Sequence, residues 1–354
     1  MKKIISIIAT MMTVIMLAGT AFAGEFSIED FDAPVPVHTE NQKAALGDLE
    51  NFKTYCDGFT ELGWPEPVVL TWEYDGDASD GFKVFVSTDE DMSGAKEYTT
   101  TDNSVELINL MIGTKYYYTV SAGDDTSDVH SFETEADGPR NMKVDSITNV
   151  RDIGGWPLEQ GGRVRQGMVF RTGRLNGCSS GKEETRVILS DEGREVLVNE
   201  LGIKTELDIR DEGENEDITE SVIGNGVNYI FIPFDLTGSI EYSEVVVSII
   251  KVFAEEENYP IAFHCSVGTD RTGFITFLIN GLLGVSEQDL QKDYLFSDMG
   301  VIRGHRDLKR FKQHDMDRIA DEPGDTISAK IKNYLLRIGV TKEELDEIVR
   351  IMTE

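Results

Sequence analysis

The run His264-Cys265-Ser266-Val267-Gly268-Thr269-Asp270-Arg271-Thr272-Gly273 sets a cysteine six positions before an arginine, with a glycine between them. An apolar, strand-like stretch (Pro260 to Phe263) leads into it, and an apolar, helix-like one (Phe274 to Leu283) leads out. A loop that opens a helix in this way turns successive amide N–H groups toward one point, which suits a tetrahedral oxyanion. A thiol at that point ionises more readily, because the amide dipoles and Arg271 favour the thiolate. The chemistry this permits is attack by Cys265 on a bound phosphate ester, through a covalent phosphocysteine. Arg271 would clamp two equatorial oxygens with a fork that lysine lacks. The amides of Ser266, Val267, Gly268, Thr269, Asp270 and Arg271 complete the cradle, and Gly268 keeps side-chain bulk away from the phosphate. Thr272 is placed to donate to the departing sulfur, and His264 reads as a group that holds the loop by hydrogen bonding. A sulfur-transfer or arsenate-type site also sets a cysteine in an anion loop; the Asp-Arg-Thr-Gly ending argues against it. Neither a metal nor a cofactor enters this chemistry.

Such a loop needs an α/β scaffold, and from about Gly138 to Glu354 strand-like and helix-like stretches alternate. Lys204 to Ile209, Asn228 to Ile232 and Ile261 to His264 read as strands. Ser190 to Leu201, Tyr242 to Glu256, Ser286 to Phe296 and Thr341 to Met352 read as helices. Gly202 closes the first helix, Ser286 caps the third, and Thr341 with Glu344 forms a capping box on the last. The expected fold is a central, mostly parallel sheet flanked by helices, with the loop at a strand's C-terminal end. Before it, the short alternating runs Val68 to Tyr74, Phe82 to Ser87, Ser104 to Leu110, Tyr116 to Ala122 and Val129 to Thr134 predict a small all-β sandwich over residues 66–137. Residues 24–65 are acidic and aperiodic, an extension that either packs on its neighbours or stays loose.

The loop, read as H-C-x-x-G-x-D-R-T-G, resembles that of the bacterial branch of the protein-tyrosine phosphatase superfamily. Four further segments share the resemblance: Asn149-Val150-Arg151-Asp152-Ile153-Gly154-Gly155, Phe170-Arg171-Thr172-Gly173-Arg174-Leu175, Leu207-Asp208-Ile209-Arg210-Asp211-Glu212-Gly213-Glu214, and Asp293-Tyr294-Leu295. It runs over nearly the whole of residues 138–354 and implies a metal-free, two-step hydrolase of phosphate monoesters. The leaving oxygen needs a proton, which a carboxylic acid beside a bound phosphate can retain. In the resembling branch the loop aspartate, here Asp270, is the expected acid. The alternative is Asp235, in Phe231-Ile232-Pro233-Phe234-Asp235, which resembles the separate acid loop of other members. Arg151, Asp152, Arg171, Asp208 and Arg210 are expected either to brace the loop and line its pocket or to make ordinary strand-end ion pairs.

Phosphotyrosine leads as substrate class, with phosphoserine and phosphothreonine beside it, carried by a phosphorylated protein or a small phosphoester. A phosphoinositide or inositol-phosphate phosphatase is the enzymatic alternative, and a phospho-ligand binding protein with little turnover is the non-enzymatic one. Many relatives carry lysine just before the loop aspartate; Thr269 stands there here, which weakens the inositol reading. The basic stretch Val301 to Ala320 holds Arg303, Arg306, Lys309, Arg310, Lys312 and Arg318. It either covers the pocket with a local positive field or is a solvated helix face. In the β-rich region Trp72 and the run Leu110 to Ala122 resemble fibronectin type III domains, with Ile112 where that family usually has proline. That resemblance implies a spacer, or a surface that docks a partner or the catalytic domain.

Across the 354 residues, 33 Lys+Arg stand against 65 Asp+Glu, a net charge of −32. That balance argues against a nucleic-acid reader, which needs a basic face, and requires any phosphate site to be locally basic. Met1 to Ala23 reads as a secretory signal peptide, with Lys2 and Lys3, an apolar core from Ile4 to Leu17, and Ala21-Phe22-Ala23 as the cleavage site. The expected location is therefore extracytoplasmic. Three cysteines make no disulfide framework. Cys56 and Cys178 either pair or are buried thiols, which leaves Cys265 as the reactive one.

Overall fold

The computed structural model describes residues 24–179, 182–216, 218–235 and 241–354. The expected signal peptide lies outside these residues. Among those described, no helix is long and apolar enough to cross a membrane.

A six-stranded sheet organises the C-terminal half. Its order is Arg140–Asn141, Arg151–Asp152, Val169–Thr172, Ile261–His264, Thr205–Asp208, Asn228–Phe231. The last four run parallel and the first two are antiparallel. The sheet is thus mixed, with a parallel centre and a short antiparallel edge. Thr172, His264 and Asp208 pair in register at the ends of their strands, so the three C-terminal ends open at one level. Side chains alternate across the pleat. Ile261 and Phe263 enter the larger core with Leu207, whereas Ala262 faces a second core around Phe170, Leu175 and Leu197. His264, Glu206 and Asp208 consequently share the Ala262 face. The helix after the loop, Asp270–Leu283, is buried at every position from Thr272 onward. This explains its apolar character all round, and Gly284 ends it in the left-handed conformation (φ 97°).

The β-rich region has Val68–Thr71 paired with Ser104–Leu107, and Phe82–Ser87 between Lys96–Thr100 and Lys115–Ala122. It contributes Leu70, Trp72, Val84, Tyr118, Val120 and Phe132 to one core. It joins the C-terminal region through buried Arg140, which donates to Asp152 and to the Asn109 and Leu110 carbonyls. Ile112 also donates its N–H to Gln166 at 2.9 Å. Proline has no N–H to donate and could not make this joint.

The extension packs rather than staying loose. A Thr39–Gln42 capping box starts a helix at Glu40–Gly47, and Ala45 and Phe52 enter the larger core of the C-terminal half. The Gln42 side-chain amide then donates to the Leu62 and Trp64 carbonyls, both at 2.7 Å. Leu62 N–H reaches the Met299 carbonyl at 2.6 Å. Cys56, Cys178 and Cys265 are all free, so Cys56 and Cys178 do not pair.

Candidate active site

The loop leaves the strand at His264 and enters its helix at Asp270, with Thr269 at the helix N-cap. Gly268 turns the chain with φ at 72°, and a Cβ there would stand 2.3 Å from the Thr172 carbonyl oxygen. No other residue fits that turn without displacing the neighbouring strand end.

Cys265 is buried at the loop's focus. Burial pushes its thiol up, but the Arg271 charge, the Thr272 hydroxyl and the Thr272 and Val267 amides together outweigh it and hold the thiol below its ordinary value. The Thr272 hydroxyl is buried and has no partner besides the sulfur. Arg271 is oriented by two carboxylates: its Nη2 sits 2.7 Å from Glu214 and its Nη1 3.2 Å from Asp211. The Nη1 contact is an ion pair without an aligned hydrogen bond, so a buried donor remains for an oxyanion. A capping box between Asp211 and Glu214 fixes that pair in turn.

Arg171 donates to the carbonyls of Gly268 (2.7 Å) and Thr269 (3.3 Å) and pairs with buried Asp293. Arg151 takes the other Asp293 oxygen at 2.8 Å and also holds Asn149, whose amide donates to the Val267 carbonyl at 3.0 Å. Burial, and then the neighbouring Arg171 charge, brings Arg151 down to about 10. Burial raises Asp293, yet the two guanidiniums outweigh it and keep the carboxylate ionised. On the other flank His264 Nε2 lies 3.1 Å from Glu206, and Nδ1 lies 3.8 Å from Asp208. Asp208 is gripped by Arg210, Tyr229 and Asn215. Arg151 and Arg171 therefore brace the loop, and Asp208 with Arg210 stands behind His264. Asp152 does not touch the loop: it pairs with Arg140 and accepts the Gly154 and Gly167 amides.

The two candidate acids differ in setting. Asp270 accepts Arg306 through both oxygens (3.1 and 2.8 Å) and Arg310 at 3.0 Å. Burial raises its carboxyl, but the two arginines prevail and hold it below the usual range. Asp235 is exposed, and its charge helps to push up Asp211, beside Arg271. The basic stretch does reach the site, although Arg306 and Arg310 direct their charge onto Asp270.

Sequence reasoning missed several contributors. Arg174, which donates to the Ser266 carbonyl at 2.7 Å, and the Asp211–Glu214 pair lie inside motif segments. Glu206 is two residues from Asp208 on the same strand face, a spacing that marks it as a neighbour of His264. Among the described residues, ligand atoms of Cys56, Asp298 and His305 lie within 4.8 Å of one another, a grouping able to hold a metal ion. Arg306 already donates its amide to both Asp298 oxygens.

The model of the tyrosine phosphatase family matches residues 142–354. A protein of Cupriavidus necator assigned as a tyrosine-protein phosphatase is 27% identical over 189 residues, covering 46% of this chain and 64% of the relative. The chain thus spans just under two thirds of that relative's length. Among solved structures, TpbA of P. aeruginosa in complex with phosphotyrosine is 14% identical, with 49% of this chain and 88% of that one covered and a TM-score of 0.31. The catalytic core of the PP-IP phosphatase SIW14 of S. cerevisiae, in complex with citrate, is 17% identical, with 43% and 83% covered and a TM-score of 0.29.

Proposed function

The chain belongs to the tyrosine phosphatase family, and from that premise we propose that it hydrolyses phosphate monoesters through a cysteinyl-phosphate, with phosphotyrosine as the leading substrate class. The observation that carries this reading is a buried thiol held below its ordinary pKa next to a guanidinium donor with no hydrogen-bond partner.

In the first step the Cys265 thiolate attacks phosphorus, the bond from phosphorus to the ester oxygen breaks, and that oxygen takes a proton from Asp270. In the second step water attacks the phosphocysteine, gives its proton back to the Asp270 carboxylate, and the sulfur leaves as thiolate with Thr272 donating to it. Arg271 and the loop amides hold the equatorial oxygens through both steps. The place of Asp270 in the loop, one residue before Arg271, supports it as the acid, with Asp235 as the alternative. Thr269, where relatives carry lysine, weighs against an inositol-phosphate substrate. Residues 66–137 we read as a fibronectin type III-like spacer or docking module, and the protein as exported.

The deciding experiment is single-turnover hydrolysis of p-nitrophenyl phosphate with trapping of the phosphoenzyme. Labelled phosphate should appear on Cys265, and Cys265→Ser should lower turnover on the order of 10⁶-fold, the scale for loss of a covalent nucleophile. Titration of the thiol with iodoacetate giving an ordinary solution midpoint would sink the reading.

A further inference from the structure

We infer that the chain selects phosphopeptides with an acidic residue beside the phosphotyrosine, through a pocket that its N-terminal extension completes; this deepens the phosphatase reading and rests on it. A cleft of about 290 Å³ adjoins the anion loop, and Ser266 and Val267, the two residues after the nucleophile, form part of its lining. Whatever hangs from a phosphate ester bound in the loop has this cleft next to it.

The far wall comes from outside the family match. Trp64 lines the cleft and is 38% exposed, an apolar surface that a ligand in the cleft would cover. The ring is held in place: its backbone carbonyl accepts Gln42, and the Lys143 ammonium lies 4.6 Å over its face. Nearby Glu61 accepts the Thr148 hydroxyl and so ties the extension to the segment just before Asn149 and Arg151, which brace the loop. A pre-ordered aromatic wall loses little entropy when it takes up a ligand.

The charges at the cleft decide what that ligand is. Arg174 spends its N–H groups on the Ser266, Gly177 and Thr185 carbonyls, and Arg186 is paired with Glu183 and Glu216. Arg303 is different. Among the described residues its guanidinium has no hydrogen-bond or ion-pair partner, while its backbone is fixed in the left-handed region (φ 60°) with its N–H on the Gly58 carbonyl at 2.7 Å. One uncommitted cation beside an aromatic and aliphatic wall matches a single carboxylate on a peptide. An inositol polyphosphate brings several phosphates and needs several uncommitted cations, whereas this lining offers one against Glu61 and Glu184, so a ligand carboxylate has to meet Arg303 directly.

The test measures binding to the Cys265→Ser form, which needs no turnover, and kcat/KM for the active enzyme. The probes are a phosphotyrosyl peptide with glutamate next to the phosphotyrosine, the same peptide with alanine there, and inositol hexakisphosphate. The acidic peptide should be preferred about tenfold over the alanine one, the scale of one charge-assisted hydrogen bond. Arg303→Ala should bring that preference close to one, Arg303→Lys should restore part of it, and Trp64→Ala should weaken both peptides. A preference that survives Arg303→Ala, equal binding of the two peptides, or tighter binding of inositol hexakisphosphate than of either peptide overturns the inference. Absence of p-nitrophenyl phosphate turnover in the unmutated enzyme would instead strike the phosphatase reading, and the binding arm would still judge the pocket.

Discussion

Two arginine–aspartate clusters meet the anion loop, and they are built from the same groups in opposite environments. Arg151 and Arg171 close on Asp293 with side-chain exposures of 1%, 0% and 4%, whereas Arg306 and Arg310 close on Asp270 with 12%, 41% and 22%. In the buried cluster every charge has left water, so the ions hold one another in place and the carbonyls of Gly268 and Thr269 with them. In the outer cluster water still screens the pairs, so each bond is individually weak and can exchange for a bond to a substrate. The first arrangement fixes shape; the second sets proton affinity at the mouth of the site.

Breaking the buried cluster should have the larger effect. Asp293→Asn leaves two arginines in the interior facing a neutral amide, and should cost about 3–5 kcal/mol of stability. Thermal or urea unfolding checks this, and a loss below ~1 kcal/mol would mean that the brace is not what holds the loop. Asp270→Asn, by contrast, should leave the melting temperature nearly in place and lower turnover of alkyl phosphates on the order of 10²-fold, with a much smaller loss on activated aryl esters whose oxygen leaves unprotonated. If the variant slows both ester types equally, Asp270 is not the proton donor, and the same comparison on Asp235→Asn takes its place.

The contrast also separates what the sequence disclosed from what it concealed. The strand Ile261–His264 and the caps at Ser286 and Thr341 are legible because each depends on residues close in sequence. The strand Val169–Thr172 is not, since an arginine in the middle of a fully buried strand breaks the apolar pattern. What makes Arg171 tolerable there is Asp293, 122 residues away. The role of the extension is hidden for the same reason. Its apolar side chains, Val35 and Val37 in one core and Ala45 and Phe52 in the other, follow no regular period, and its hold on the site runs through single hydrogen bonds to Met299, Thr148 and Arg303. The anion loop itself is local in sequence, so its chemistry could be read, while Trp64 beside it carries no motif at all.

The outer cluster makes a finer prediction about pH. Cys265 must be ionised to attack, and its thiol is held below its ordinary value, so activity rises with pH through that lowered value. Asp270 must be protonated to serve the leaving group, and Arg306 and Arg310 hold its carboxyl below the usual range, so activity falls as pH climbs through that depressed value. Both limbs of the kcat/KM profile for an alkyl phosphate therefore lie on the acid side of their unperturbed positions. Removing one arginine weakens the preference for the charged carboxylate, so Arg306→Ala should move the Asp270 limb of the profile upward and leave the Cys265 limb in place. Arg310→Ala, whose side chain is more exposed, should move it less. An Asp270 limb unmoved by either change would assign the proton to a group outside this cluster, and Asp235, whose charge reaches Asp211 beside Arg271, is the alternative carboxyl.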